Sequence, residues 1–184
     1  MTGDQALWFL SRGTGLTAMV LLTLVLALGV LTRSGRPLPG LPRFVTAGLH
    51  RNAALLAVAL LAVHVVTAVL DPYALTGVVG IVVPFTGAYR PLFVGLGTLA
   101  LDLLIALTVT SMLRERLPDR VWRAVHWSAY ACWPLALAHG LGSGTDAFRT
   151  WSLAVTAGCV AVATFAVVWR LRAADFHGPV LVSR

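Results

Sequence analysis

The sequence predicts an all-α membrane protein, a bundle of five transmembrane helices with its N-terminus outside and its C-terminus cytoplasmic. Composition gives the class. With 58% hydrophobic and 11% charged residues and a mean hydropathy of +0.85, a soluble fold would lack the polar surface to cover itself. Spacing gives the count. Apolar runs at 6–31, 44–70, 92–113, 121–141 and 148–169 each approach the roughly 20 helical residues that cross a hydrocarbon core of about 30 Å. Charge gives the orientation. All the basic residues are arginines; Arg33, Arg36, Arg43, Arg114, Arg116, Arg120, Arg123, Arg170, Arg172 and Arg184 fall on one side, and only Arg12, Arg90 and Arg149 on the other. The arginine-rich side is the cytoplasmic one.

The elements follow in order. The first run has no basic segment before it, carries Arg12 inside it and exceeds the length of a signal-peptide core, so it is expected to remain as a helix. Ser34 to Pro42 is a Gly/Pro-rich turn, and Leu117-Pro118-Asp119 breaks the chain between the third and fourth runs. The loop from Asp71 to Pro91 is long and apolar, and is expected on the membrane surface or folded back over the helix ends. Trp8, Trp122, Trp151 and Trp169 lie near span ends, where indoles prefer the headgroup level. Trp127 and Trp133 lie deeper and are read as packing residues. With no repeat, low-complexity tract or composition shift, residues 1–184 form one domain with no room for a soluble catalytic unit. The net charge of +7 reads as topology and attraction to lipid headgroups, and nucleic acid is not expected as a partner.

Histidines carry the chemistry. Four of the five lie inside apolar runs, His50 and His64 on the second, His126 and His139 on the fourth. Ionisable groups within a bilayer are costly and tend to mark function. His50 and His64 sit about 10 Å to either side of the midpoint of their run at 1.5 Å per residue, and His126 and His139 lie at similar depths. The two runs cross in the same direction, so His50 should face His126 on the inner side and His64 should face His139 on the outer side. Fourteen residues bring His50 and His64 back to within roughly 40° on one helix face, whereas thirteen residues leave His126 and His139 roughly 140° apart. Pro134, between them, removes one backbone hydrogen bond and is the expected site of a kink or local change of winding that redirects the second imidazole. His177, in the tail, reads as a solvated residue.

Two imidazoles on one iron leave no open position, so such a centre passes electrons without bond chemistry at the metal. No Cys-x-x-Cys-His occurs, so covalent haem attachment is excluded and two haem b groups are expected, an inner one on His50 and His126 and an outer one on His64 and His139. Cys132 and Cys159 are expected as small core residues without a disulfide. Asp102, in the middle of the third run, would be neutral, paired with an arginine or bonded to a ligand histidine, with structural pairing preferred over a proton relay.

Trp8-Phe9-Leu10-Ser11-Arg12-Gly13-Thr14-Gly15, the 14-residue and 13-residue histidine pairs two helices apart, and Trp122-Arg123-Ala124-Val125-His126 together resemble the ferric reductase-like transmembrane family. That family includes NADPH oxidases, ferric-chelate reductases and the haem subunit of the bacterial periplasmic methionine sulfoxide reductase system. The resemblance covers nearly the whole chain. It implies that the first histidine of each helix holds the inner haem and the second the outer one. Arg12 resembles an arginine lining the outer-haem site of the oxidases. Ala68 stands where the superoxide-forming branch tends to carry a further histidine, so superoxide production is not expected. Relatives with their own flavin and NADPH domains continue past the last helix; here a short tail follows Trp169, and a flavin donor is expected to be another polypeptide.

Arg12, Arg51 and Arg123 are candidates to pair with haem propionates, since a guanidinium binds carboxylates in two-pronged fashion; Arg51 and Arg123 read equally well as interfacial anchors. The function expected is an oxidoreductase component of the cell membrane, carrying electrons from a cytoplasmic flavoprotein or quinol to an extracytoplasmic acceptor. The acceptor would be a ferric chelate or a partner reductase of the methionine sulfoxide reductase or FMN-bearing type. The loop Gly142-Ser143-Gly144-Thr145-Asp146 is read as an ordinary turn, with acceptor docking as the sharper alternative. A membrane scaffold whose histidines merely pack is the non-catalytic alternative.

Overall fold

The computed structural model describes residues 3–33, 42–72 and 77–175. Its elements, all helical among these residues, are α1 (Gly3–Arg33), α2 (Arg43–Leu70), α3 (Gly77–Val82), α4 (Pro91–Met112), α5 (Asp119–Trp127), α6 (Ala129–Ser143) and α7 (Thr150–Asp175). Arg36, His177, Arg184, most of the 34–42 turn and residues 73–76 of the long loop lie outside the described residues. Helices α1, α2, α4 and α7 contain segments long and apolar enough to cross a bilayer. The chain is therefore a multi-pass membrane protein, in contact with lipid.

The interior confirms this from the opposite direction. Buried positions are occupied by Ala18, Ala57, Ala100, Ala163 and Ala166 with Thr23, Thr46, Thr67, Thr98 and Ser152, while Phe44, Phe165, Leu55, Leu56 and Leu171 face outward. A water-soluble bundle would place these the other way round. In lipid there is no hydrophobic drive between helices, so small side chains that let backbones approach are favoured at the contacts. Hydroxyls at Thr17, Thr23, Thr67 and Thr108 donate to carbonyls four residues back in their own helices, which removes the cost of carrying them into hydrocarbon.

Helix α1 organises the bundle. It packs along α2 and also meets α6 and α7, while α4 packs on α6. Within hydrocarbon, the Trp133 Nε1–H of α6 donates to Thr23 Oγ1 of α1 at 2.9 Å, so Trp133 ties two helices together, in line with a packing role. Arg170 closes the α7 side, donating to Tyr130 Oη at 2.7 Å and lying 4.5 Å from the Trp127 ring centroid. The long loop folds back over the helix ends, one of its two expected courses. Thr98 Oγ1 of α4 donates to Gly80 O of α3 at 2.7 Å, and Phe85, at φ 69°, lays its ring where a side chain at Gly95 would stand. Arg90, at φ 40°, precedes Pro91 at the start of α4.

The fourth apolar run differs from expectation. It is not one rod but two helices, α5 and α6, interrupted at Ser128. Ser128 N–H donates to Val125 O, three residues back, as does its own hydroxyl, at 2.7 Å. Ala131 N–H likewise reaches back three residues, to Ser128 O. Such tightened turns wind at about 120° per residue instead of 100°. They add rotation in the sense that the His126–His139 spacing lacks. Pro134 lies inside the continuous α6 and makes no break. The serine turn is thus a second place, beside Pro134, where the winding between His126 and His139 departs from a regular helix.

Thr23→Val leaves the Trp133 N–H without an acceptor and should cost about 1 kcal/mol, read as an earlier unfolding midpoint when SDS is titrated into detergent micelles. Thr17→Val, which removes a hydroxyl bonded only within α1, should leave the midpoint unchanged.

Candidate functional site

The four membrane histidines come together in two pairs. The His50 and His126 rings have centroids 6.3 Å apart at 62°, and the His64 and His139 rings have centroids 6.1 Å apart at 82°. Two imidazoles sharing one metal through bonds of about 2 Å would have centroids roughly 6 Å apart once the half-widths of both rings are added. Helix α2 packs closely against neither α5 nor α6, although one pair joins α2 to α5 and the other joins α2 to α6. The paired rings reach across that gap. Among the described residues no three His, Cys, Asp or Glu side chains converge, so neither pair could enclose a metal unaided. A donor set of two imidazoles would fit a haem, which would be held by His50 with His126 or by His64 with His139.

The protonation state follows from the partners. His64 Nδ1 lies 2.7 Å from Ser11 O, His50 Nδ1 2.9 Å from Val25 O and His139 Nδ1 2.9 Å from Phe93 O. A carbonyl only accepts, so each Nδ1 carries the proton and each Nε2 keeps its lone pair. This is the tautomer that binds a metal through Nε2, oriented by a second hydrogen bond.

Glycine makes these bonds reachable. A Cβ at Gly15 would lie 2.8 Å from His64 Nδ1, one at Gly29 would lie 3.3 Å from His50 Cε1, and one at Gly97 would collide with the His139 ring. Each of these glycines stands four residues after the carbonyl that accepts: Ser11 and Gly15, Val25 and Gly29, Phe93 and Gly97. The missing side chain opens the turn so that an imidazole from the neighbouring helix can enter. The two α1 units are 14 residues apart, matching the 14 residues between His50 and His64 on the antiparallel α2.

His126 is held differently. Its Nδ1 is buried and has no partner among the described residues, and the ring stacks on Trp122 at 4.7 Å and 19°. Thirteen residues beyond Gly97, the place of a fourth glycine is taken by Thr110, whose hydroxyl occupies Ala106 O at 2.7 Å. Arg114 backs the indole, 4.5 Å from its ring centroid, and pairs with Asp119 at 2.8 Å.

At the His64–His139 level a cavity of about 340 Å³ opens between α1, α2, α4 and α6, lined among others by Arg12, His64, Ala68, Tyr89 and His139. Arg12 reaches it and forms an ion pair with Asp146, both side chains largely buried. Gly144 leaves the space; a Cβ there would lie 2.5 Å from the guanidinium nitrogens. Ser143, Gly144 and Thr145 of the 142–146 segment line the cavity's edge. Arg51 and Arg123 are exposed beside the other pair, and neither is drawn into the cavity. Asp102 is exposed on α4 and pairs with none of the described arginines or histidines, so the expected structural pairing is not found among the described residues. Cys132 and Cys159 are free and buried, as expected. Sequence reasoning missed Gly29 and Gly97, and, although it named Gly15, Asp146 and Trp122, it missed their roles in admitting His64, pairing with Arg12 and stacking on His126. The equal 14-residue spacing of glycines and histidines was the available signal.

Gly15→Val drives a side chain into His64 and should loosen the α1–α2 contact, read as an earlier unfolding midpoint when SDS is titrated into detergent micelles. Gly13→Val, on the same helix with open space around it, should leave the midpoint unchanged.

No curated protein and no solved structure matches the chain. The family model for the ferric reductase like transmembrane component matches residues 14–137, a segment that holds His50, His64 and His126 and stops two residues before His139. Domains of this kind generally bind haem and serve as membrane electron-transfer components. With two thirds of its length matched, the chain belongs to the ferric reductase-like transmembrane component family.

Proposed function

We propose that the chain is a two-haem b electron conduit of five crossings, with its N-terminus outside, that takes electrons from a flavin or quinol donor on the inner side and delivers them to an outer acceptor. The observation that carries this is the pairing of rings at about 6 Å with three of the four imidazoles held in the metal-binding tautomer. Histidines kept only for packing would have no reason to meet in pairs across helices that do not otherwise touch closely.

His50 and His126 would hold the inner haem, and His64 and His139 the outer one, about 20 Å apart along the helix axis. Haem bound in this way supplies one-electron iron redox chemistry. The chain's own residues do the rest. Carbonyls of Ser11, Val25 and Phe93 fix the rings and raise the basicity of the ligating nitrogens. Trp122 positions His126 by stacking, and the apolar walls from α1, α4 and α6 keep water away. Arg12, already neutralised by Asp146, sits at the outer cavity, and Arg51 and Arg123 stand at the inner level, where guanidinium would attract propionates. Helices α5 and α6 together make the fourth crossing, and the arginine bias sets its direction. At the outer end, the cavity edge formed by Ser143, Gly144 and Thr145 is the place where a ferric chelate or a partner reductase would meet the outer haem.

His64→Ala or His139→Ala should each reduce haem from two per chain to one while reduced-minus-oxidised spectra keep b-type bands. His50→Ala and His126→Ala should each remove the other haem. Purified protein without b-type bands would return the scaffold reading, and loss of both haems from every single variant would overturn the pairing.

A further inference from the structure

Along α4, Gly95, Thr98, Asp102, Ile105, Val109 and Met112 follow one another at intervals of three and four residues. That spacing places them on a single seam, the pattern by which one helix packs along another. The first two positions are filled: Phe85 covers Gly95, and Thr98 is bonded to α3. The other four are bare, with Asp102 exposed, Ile105 52%, Val109 47% and Met112 78% exposed. The α4 face around Ala100, Leu104 and Leu107 is the one that packs against α6.

Apolar residues on such a face need only lipid. Asp102 does not fit that environment. It stands midway along α4, where a carboxylate is costly without a partner, and no hydrogen bond or ion pair of its side chain occurs among the described residues. We propose that this seam is the docking face for a transmembrane helix of a different polypeptide, one that carries a lysine, arginine or histidine at the depth of Asp102.

Charge complementarity selects this occupant. A second copy of the chain would bring another Asp102 to the seam and no cation at that depth, because the described arginines lie towards helix ends or in loops and Arg12 is already paired with Asp146. Lipid headgroups do not reach mid-depth. A cationic side chain on a partner helix satisfies the carboxylate, while Ile105, Val109 and Met112 supply the apolar remainder of the contact. The inference stands apart from the haem reading and does not need it.

Two measurements test it with the full chain. In phosphatidylcholine vesicles, Förster transfer is read between the labelled protein and a synthetic leucine–alanine transmembrane helix bearing one central lysine. The lysine helix should associate at helix densities on the order of tenfold lower than its all-apolar counterpart, and Asp102→Leu should erase that preference. Equal association of the two helices, or a preference that survives Asp102→Leu, overturns the proposal. In native membranes, a photo-crosslinking residue at Val109 should capture a different polypeptide through a span that contains a basic residue. Capture of another copy, or of lipid alone, overturns it.

Discussion

Placing an imidazole in hydrocarbon creates a problem that the rest of this bundle answers. The ring must give its N–H to an acceptor, and in a helix every carbonyl is already committed to the amide four residues on. A carbonyl has a second lone pair, but the side chain of that fourth residue stands in the way. Glycine at Gly15, Gly29 and Gly97 removes the obstruction. One substitution type thereby settles the ring's orientation, its tautomer and the close approach of the helix opposite.

Much of this was legible in the sequence. Apolar run lengths gave α1, α2, α4 and α7 because lipid enforces backbone satisfaction within each segment, and depth arithmetic paired His50 with His126 and His64 with His139, as the rings are found. The fourth run was less legible. Hydropathy does not register a change of winding, so Ser128 went unnoticed beside the more conspicuous Pro134. Asp146 was hidden for another reason. Its partner Arg12 is 134 residues away, and nothing local announces an ion pair of that range.

The inside-out core has the same origin as the glycine device. Without water to expel, helices gain from closeness, and closeness requires Ala, Gly, Ser and Thr at the contacts. The larger apolar residues are left for the lipid. Against that rule an exposed carboxylate on α4 stands out as a polar group without a local answer, whereas Thr17 and Thr108 are answered by their own helices.

The two levels of the site also differ in how firmly they are built. Register between α1 and α2 is pinned at two points, by Ser11 on His64 and Val25 on His50, so a slip of one residue would break both at once. Helix α4 offers α6 the Phe93 carbonyl at His139 and, more weakly, the Ala100 carbonyl at the Cys132 thiol. Beyond the Ser128 turn, α5 carries His126 on a stack of rings. Thermal rocking of that short helix can therefore be absorbed at the turn, which leaves breathing to one storey of the bundle while the other stays clamped from both sides.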